Sequence, residues 1–184
     1  VALTKEIPSN IQNVLRKERV FLEPEEAKAA VFYSISNCQK GLTGISFGNF
    51  LIKQVATDLS YEFKNLKNFV TLSPIPGFRK WIRNKYPKLD VKIEKIKKLD
   101  QLSKIKYDLL NCLGEYFFKS ERSDKMPNDP VARFHLGNGA SLEQINFLGD
   151  VSSNGIELSG GLMVNYLYDL ERVEQNHEIF VSEK

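Results

Sequence analysis

The sequence has few residues that bind metals or form cross-links, with two cysteines and two histidines in 184 residues. Cys38 and Cys112 are too few for a disulfide framework in a chain of this length, and we expect two reduced thiols in a cytosolic protein. With only two histidines besides, the chain is poorly equipped for a structural zinc site. The sequence therefore predicts a fold that depends on a packed core.

Long apolar runs and a secretory leader are missing as well. No apolar run approaches the length that a membrane-spanning helix needs, and Lys5 and Glu6 interrupt the first apolar residues, which excludes a signal-peptide pattern. Hydrophobic residues make up 42% of the chain and charged residues 27%, the profile of a soluble globular domain. Because the chain begins at Val1, we expect a piece of a longer protein or a processed one, with a bacterial-type cytoplasmic location as the default.

The net charge of +3 excludes little, but its distribution is uneven. Residues 79–106 hold eleven lysines and arginines against three acidic residues. Such a stretch is typically the solvated face of one or two surface helices. The alternatives are a landing zone for an anionic ligand or for nucleic acid. Aromatic residues do not interleave with these charges, which disfavours nucleic acid.

The order of the predicted elements indicates an α/β domain. The sequence predicts strands at 1–4, 30–36, 69–72, 142–148 and 160–168, and the second of these alternates and is rich in β-branched and aromatic residues. Apolar spacing and capping residues predict helices after Pro8 with Ser9 as N-cap, at 23–26, 49–63 and 78–86, over most of 88–120, and from 129 to 137. Two prolines at 74 and 76 are expected to prevent regular strand pairing there. The sequence predicts one domain over 1–184, with 88–128 as a lysine-rich helical insertion.

Two helical stretches give specific expectations about burial. In the helix from Asn49, apolar residues recur every four positions and predict the buried stripe, namely Leu51, Val55, Leu59 and Phe63. In the lysine-rich stretch, leucines supply the apolar positions, namely Leu99, Leu102, Leu109, Leu110 and Leu113.

A glycine-containing loop joins the strand at 30–36 to the helix from Asn49. Backbone N–H groups at a helix N-terminus and the helix dipole favour an anion, so residues 41–49 are a natural cradle for phosphate. The loop is not a P-loop, because no Gly-Lys-Ser/Thr follows, and its glycine spacing does not fit the dinucleotide fingerprint. Taken alone it is a weak indication.

Three groups of motifs extend over nearly the whole chain. The first is 32–36, 39–42 and 48–53, the second is Leu72–Phe78 with 80–81, and the third is 130–132, 134–136, 138–140, 145–146, 150–152, 161–166 and 168. Together they resemble the C-terminal catalytic domain of malonyl-CoA decarboxylases. The resemblance implies a mixed central sheet flanked by helices, similar to GCN5-related N-acetyltransferases. It also implies a helical N-terminal domain outside this chain, through which family members form homo-oligomers.

The activity that this resemblance implies is the decarboxylation of malonyl-CoA to acetyl-CoA and carbon dioxide. The thioester carbonyl accepts the electrons as an enolate, so the family needs no metal and no organic cofactor, CoA being part of the substrate. The protein must hold CoA, stabilise the enolate oxygen and protonate the α-carbon. Neither a membrane nor a nucleic acid is an expected partner.

The resemblance also assigns roles to particular residues. His135 matches the catalytic histidine and is the expected proton donor, whereas its local pattern alone favours a hydrogen-bonded core histidine. Ser73 matches the active-site serine and is expected to bind the thioester oxygen or the carboxylate, or to relay a proton with His135. By itself it is more typical of a turn serine. The other histidine, His177, lies in a charged tail.

Further positions concern the pocket and the CoA site. Tyr168 matches another active-site position and Asn165 lies close to it; both are expected either to shape the malonyl pocket or to pack in a strand. The CoA diphosphate is expected at the strand-to-helix cradle, which consists of Thr43, Gly44, Ile45, Ser46, Phe47, Gly48 and Asn49.

The chain departs from the family pattern at two places. Ser46 stands where the family often has a glutamate, and the lysine-rich stretch between the Ser73 and His135 motifs is short. Two other functions stay open at this point. A CoA-dependent acyltransferase would share the fold but needs a site for an acceptor, and a non-catalytic acyl-CoA-binding domain would bind without turnover.

Overall fold

The computed structural model describes residues 1–18, 22–35, 47–96, 98–119 and 121–182, with backbone alone at 47–50. Within these ranges the strands are β1 (Ala2–Thr4), β2 (Ala29–Phe32), β3 (Asn68–Thr71), β4 (Ser73–Pro74), β5 (Ser141–Asn146) and β6 (Met163–Leu167). The α-helices are α1 (Ile11–Leu15), α2 (Phe47–Glu62), α3 (Phe78–Lys85), α4 (Pro87–Glu94), α5 (Lys106–Phe118), α6 (Pro130–Gly137), α7 (Ser153–Ser159) and α8 (Val173–Ser182). Two 3₁₀ helices span Pro24–Glu26 and Leu99–Ile105.

The strands form one mixed sheet in which β6 lies between β5 and the β3–β4 segment. β6 runs antiparallel to β5 on one side and to both β3 and β4 on the other. β2 pairs in parallel with β3, and β1 pairs antiparallel with β2. Helices flank this sheet, which confirms the expected mixed α/β class. The closer likeness to N-acetyltransferases stays a prediction.

The five predicted strands are present with shifted or shorter bounds, and three elements were not predicted. Helices α7 and α8 are the first two of these. The third is β4, and here the expectation about the prolines was wrong, because Ser73 and Pro74 pair with Val164 and Met163 of β6. Proline has no backbone N–H, so it is tolerated in a short strand at a position that need not donate a hydrogen bond to a second neighbouring strand.

Two helical expectations are corrected. The N-cap of α1 is Asn10, not Ser9, because the Asn10 side chain accepts a hydrogen bond from the backbone N–H of Asn13. In α2, Leu51 is 53% exposed, and the buried positions are Ile52 and Ala56. Since an α-helix turns once every 3.6 residues, a strict four-residue stripe drifts off one face, and only its later members pack on the core.

The hydrophobic core covers both faces of the sheet. Alternate residues of β2 and β3 point to opposite sides: Phe32 and Phe69 join the larger cluster under the long helices, while Val31 and Val70 pack against α1. No helix within the described ranges has the length and apolar character needed to cross a membrane. Cys112 is a free, buried thiol, and Cys38 lies outside the described residues.

The lysine-rich stretch packs on this core as predicted, with one exception. Leu102, Leu109 and Leu113 are buried, whereas Leu99 is exposed. The basic stretch is not a uniformly solvated face either, since Arg79 is buried and ion-paired with Asp90 (Nε–Oδ1, 2.9 Å) and with Glu157 on α7. The description of 88–128 as an insertion stays a prediction.

We expect Gly139→Ala to destabilise the fold by about 3 kcal/mol or more. Gly139 has a positive φ of 83°, and a Cβ atom there would overlap the backbone carbonyl of Val173 at the start of α8. The matched control is Gly114→Ala in α5, where a Cβ meets no atom within 4 Å and helix propensity favours alanine by about 0.5–1 kcal/mol. Urea unfolding of both variants measures the difference; equal stability of the two would contradict the packing described.

Candidate active site

Ser73 is placed by the continuous segment that forms β3 and β4. Its backbone pairs with Val164 of β6, and its side chain is 5% exposed. Two residues earlier on the same side of the segment lies Thr71, which is fully buried. The Ser73 hydroxyl donates to Thr71 Oγ1 at 2.8 Å. This bond fixes the direction in which the Ser73 hydroxyl group points.

His135 is placed by the short helix α6. Asp129 caps this helix with its side chain, and Pro130 occupies the first helical position, as the sequence predicted. His135 lies in the last turn and is 3% exposed. Its imidazole stacks on the ring of Tyr166, with 4.7 Å between the centroids and 26° between the planes.

Three of the predicted residues meet at this point. His135 Nε2 lies 3.2 Å from Ser73 Oγ, and His135 Nδ1 lies 2.8 Å from the Tyr168 hydroxyl. We call Ser73, His135 and Tyr168 the Ser–His–Tyr cluster. They come from β4, α6 and the residue just after β6, so the fold unites groups that are 62 and 33 residues apart along the chain.

The hydrogen bonds around the cluster indicate where the imidazole carries its proton. Thr71 Oγ1 accepts from the Tyr166 backbone N–H at 3.1 Å and from the Ser73 hydroxyl. Ser73 Oγ then accepts from His135 Nε2–H, and Nδ1 accepts from the Tyr168 hydroxyl. The arrangement fits a neutral imidazole with its proton on Nε2, directed at Ser73.

Burial keeps the cluster uncharged at neutral pH. It lowers the pKa of His135 to about 4, well below the ordinary value of about 6.5. Burial also raises the pKa of Tyr168, and the nearby Asn138 side chain opposes this in part. Both shifts follow from the penalty that a low-dielectric surrounding places on charge. The site therefore holds mobile protons without holding net charge.

The lowered pKa of His135 predicts that the protein loses stability as the pH falls from 6.5 to 4. In that window the unfolded chain binds a proton that the folded chain excludes, so the free energy of unfolding decreases as the pH falls. Above pH 6.5 both states are neutral and the full stability is present. A pKa of about 4 for His135 corresponds to a loss of folding stability on the order of 3 kcal/mol between pH 6.5 and pH 4.

Urea unfolding at pH 7.5 and 4.5 measures this effect against variants. Between pH 7.5 and pH 4.5 the wild-type chain should lose more stability than His135→Gln, because the variant has no buried imidazole to protonate. The matched control is His177→Gln, because His177 is only half-buried and bonds the backbone carbonyl of Gly137 through Nδ1. An unchanged pH dependence in His135→Gln would contradict a histidine that is buried neutral.

Asn165 occupies a structural position beside the cluster. Its amide donates to the backbone carbonyls of Thr71 (2.8 Å) and Pro8 (3.1 Å), and its oxygen accepts from Asn146 (2.6 Å). All its polar atoms have protein partners, so it holds β3, β6 and the segment before α1 together. A contact of Asn165 with substrate stays a prediction.

The predicted CoA cradle lies mostly outside the described residues. Thr43, Gly44, Ile45 and Ser46 are not described, and Phe47, Gly48 and Asn49 form the first turn of α2, with no side chains described. Phe47, the first described residue of α2, already lies two residues before the predicted start at Asn49. Binding of a diphosphate at this turn stays a prediction.

Sequence reasoning missed Thr71 and Tyr166 as site residues. Both stand two positions from a predicted site residue, Thr71 before Ser73 and Tyr166 before Tyr168. In an extended segment such neighbours share a face, so period-two spacing is the signal that identifies them. In the part of the chain that is described, no group of three or more His, Cys, Asp or Glu side chains could hold a metal ion.

The structure thus combines two features. It has a mixed sheet flanked by helices, and it holds a buried neutral histidine between a serine and a tyrosine hydroxyl. The chain is an α/β domain with a buried Ser–His–Tyr cluster.

Comparison with known proteins identifies the family. The model of the malonyl-CoA decarboxylase C-terminal domain matches residues 1–184. Mitochondrial malonyl-CoA decarboxylases from Anser anser anser and Rattus norvegicus are 36% and 37% identical over all of this chain, covering 43% and 44% of their own lengths. The chain thus belongs to the malonyl-CoA decarboxylase family, and it spans less than half the length of these relatives.

Solved structures agree with this assignment. Malonyl-CoA decarboxylase from Rhodopseudomonas palustris superposes with a TM-score of 0.89 at 45% identity, covering 99% of this chain and 45% of that one. The enzyme from Agrobacterium vitis gives 0.88 at 49% identity, covering 96% and 47%. Sheet and helices therefore follow the arrangement of the family.

Proposed function

We propose that this domain decarboxylates malonyl-CoA to acetyl-CoA and carbon dioxide, with the Ser–His–Tyr cluster as its catalytic centre. The observation that carries the proposal is the contact between Ser73 Oγ and His135 Nε2 at 3.2 Å, in a chain that belongs to the malonyl-CoA decarboxylase family. Family membership supports malonyl-CoA as the substrate, and the geometry of the cluster supports Ser73, His135 and Tyr168 as the catalytic residues.

The bond that breaks joins the α-carbon of the malonyl group to its carboxylate. The electron pair moves into the thioester carbonyl, carbon dioxide leaves, and an enolate forms. A hydroxyl positioned against the developing oxyanion stabilises this state, commonly by about 3 kcal/mol for each donor. The Ser73 hydroxyl is the group we assign to the thioester oxygen, which it reaches by releasing its bond to Thr71 Oγ1.

The α-carbon then takes a proton, and His135 is its source. An imidazole held neutral still carries an Nε2 proton, and a thioester enolate is a much stronger base than imidazole's own anion. With the thioester oxygen assigned to Ser73, which contacts Nε2, the proton reaches the carbon directly or through the Ser73 hydroxyl. Tyr168 donates to Nδ1 as charge develops on the ring. Each turnover consumes one proton, which the cluster regains from solvent.

The remaining expectations are part of this proposal. We expect the reaction to need no added metal or organic cofactor, because the substrate thioester accepts the electrons itself. The diphosphate of CoA is assigned to residues 43–49 at the start of α2. Homo-oligomerisation through a further domain and a cytoplasmic location are also expectations, to be tested on the full-length protein.

Mass spectrometry of the purified chain with malonyl-CoA tests the proposal. We expect acetyl-CoA to accumulate at the same rate with and without a mixture of amine acceptors. Acylated amine in place of acetyl-CoA would instead identify an acyltransferase. Saturable binding of malonyl-CoA without any product would indicate a binding domain.

A further inference from the structure

Asp129 is a fully buried carboxylate outside the Ser–His–Tyr cluster. One oxygen, Oδ1, accepts from the backbone N–H groups of Val131 (2.9 Å) and Ala132 (3.0 Å) at the start of α6. The other, Oδ2, lies 3.5 Å from the hydroxyl of Tyr116. Burial raises the pKa of Asp129, and the nearby backbone amides of Ala132, Val131 and Gly77 oppose the rise. Asp129 thus caps α6 and also lies close to Tyr116 of α5 and to the turn that contains Gly77.

The elements that meet at Asp129 include those that carry the two reacting side chains. Gly77 follows Ser73 by four residues and caps α3. A Cβ atom at Gly77 would lie 2.5 Å from the Tyr116 hydroxyl oxygen, so the turn after β4 passes directly against Tyr116. Asp129 itself begins the helix that carries His135. It therefore links the helix of His135 to Tyr116 of the core helix α5, and Tyr116 in turn lies against the turn after Ser73.

We propose that Asp129 is a positioning residue, which sets the approach of His135 to Ser73 by fastening the first turn of α6 to the turn after β4. The proposal rests on the proposed function. The Nε2–Oγ distance of 3.2 Å is at the long end of hydrogen-bond distances. A small tilt of α6 therefore breaks the contact, and a misplacement of about 1 Å can lower a rate by about 10²-fold.

Kinetics of Asp129 variants test the proposal. Asp129→Ala should lower kcat by about 10- to 100-fold and change KM by less than about threefold, because the residue touches no substrate. Asp129→Asn should recover kcat only in part, since an asparagine caps a helix about as well as an aspartate, whereas its amide nitrogen cannot accept the bond from the Tyr116 hydroxyl. The control for loss of a cap is Ser152→Ala in α7, where the Ser152 hydroxyl accepts from Gly155 N–H and wild-type kcat is expected.

A double-mutant cycle separates positioning from a general loss of structure. If Asp129 acts through the Ser73–His135 contact, Asp129→Ala should have less than about a threefold effect in a Ser73→Ala background. Factors that multiply in the double variant, or a wild-type kcat in Asp129→Ala, would overturn the proposal. If Asp129→Ala does not fold, the double variant Asp129→Asn with Tyr116→Phe replaces it. A wild-type kcat in that variant would overturn the proposal equally.

Nitrogen-15 NMR of the histidine side chains gives a readout that does not require turnover. The chain has only two histidines, and His177→Gln assigns the spectrum. We expect the imidazole of His135 to stay neutral down to about pH 4 in the wild-type chain and to titrate nearer its ordinary value of about 6.5 in Asp129→Ala. An unchanged His135 titration in a folded variant contradicts the positioning role. A wild-type chain without decarboxylase activity contradicts only the proposed function.

Discussion

Replacement of His135 by alanine is expected to lower the rate of acetyl-CoA formation by about 10²-fold or more. The imidazole is the only group of the Ser–His–Tyr cluster with hydrogen bonds to both other members, at 3.2 Å to Ser73 and 2.8 Å to Tyr168. Alanine removes the proton donor and disconnects Tyr168 from Ser73. The enolate must then take its proton from water, which is not held in position.

Saturating initial rates, measured by mass spectrometry on matched protein concentrations, check this result. His135→Gln should be almost as slow, although it fills more of the space beside Tyr166, because an amide is a poor acid. His177→Ala is the control for removal of a histidine that holds α8 against the end of α6, and it should retain the wild-type rate. A wild-type rate in His135→Ala would remove His135 from the chemistry.

Replacement of Ser73 by alanine is expected to lower kcat and kcat/KM together, by roughly 10²-fold. The Ser73 hydroxyl contacts both His135 Nε2 and Thr71 Oγ1, so its oxygen is held in position before substrate binds, and only its O–H bond turns toward the substrate. A donor that strengthens its bond only as the enolate forms contributes to the transition state and not to binding of the ground state. Its loss should therefore leave KM nearly unchanged.

The control for Ser73→Ala is a second buried serine. Ser159 donates its hydroxyl to the backbone carbonyl of Leu162 and contacts that of Gly155, and it lies outside the cluster. Ser159→Ala should lose stability but keep kcat. If Ser73 and His135 act as one unit, the double variant should be no slower than the slower single variant. A double variant whose losses multiply would show two independent roles.

Local patterns predict most of the sheet because most of its strands are short apolar runs that are buried along nearly their whole length. Asp129 followed by Pro130 likewise predicts the start of α6 to the residue, since a capping side chain and a fixed φ act locally. The helix α8 shows the limit. Only its first residue, Val173, is buried, so its mostly polar sequence carries no periodic stripe. Its position depends on contacts with α6 such as that between His177 and Gly137.

The site is harder to predict than the fold, because its members meet only in three dimensions. Nothing local distinguishes His135 from a core histidine, and its burial indeed fits a core position. The motifs shared with the family identify it. Its neutral state depends on burial against Tyr166, and the position of its proton depends on the hydrogen bonds of Thr71 and Ser73. Those neighbours come from other elements, and no pattern within α6 contains that information.

The most direct test is to count the products that the purified wild-type chain forms from malonyl-CoA in a sealed vessel, without added metal. We predict that acetyl-CoA and carbon dioxide appear in a one-to-one ratio, and that both are lost together in His135→Ala. Intact malonyl-CoA after prolonged incubation, or transfer of the acyl group without release of carbon dioxide, would contradict the assignment of this domain as a decarboxylase.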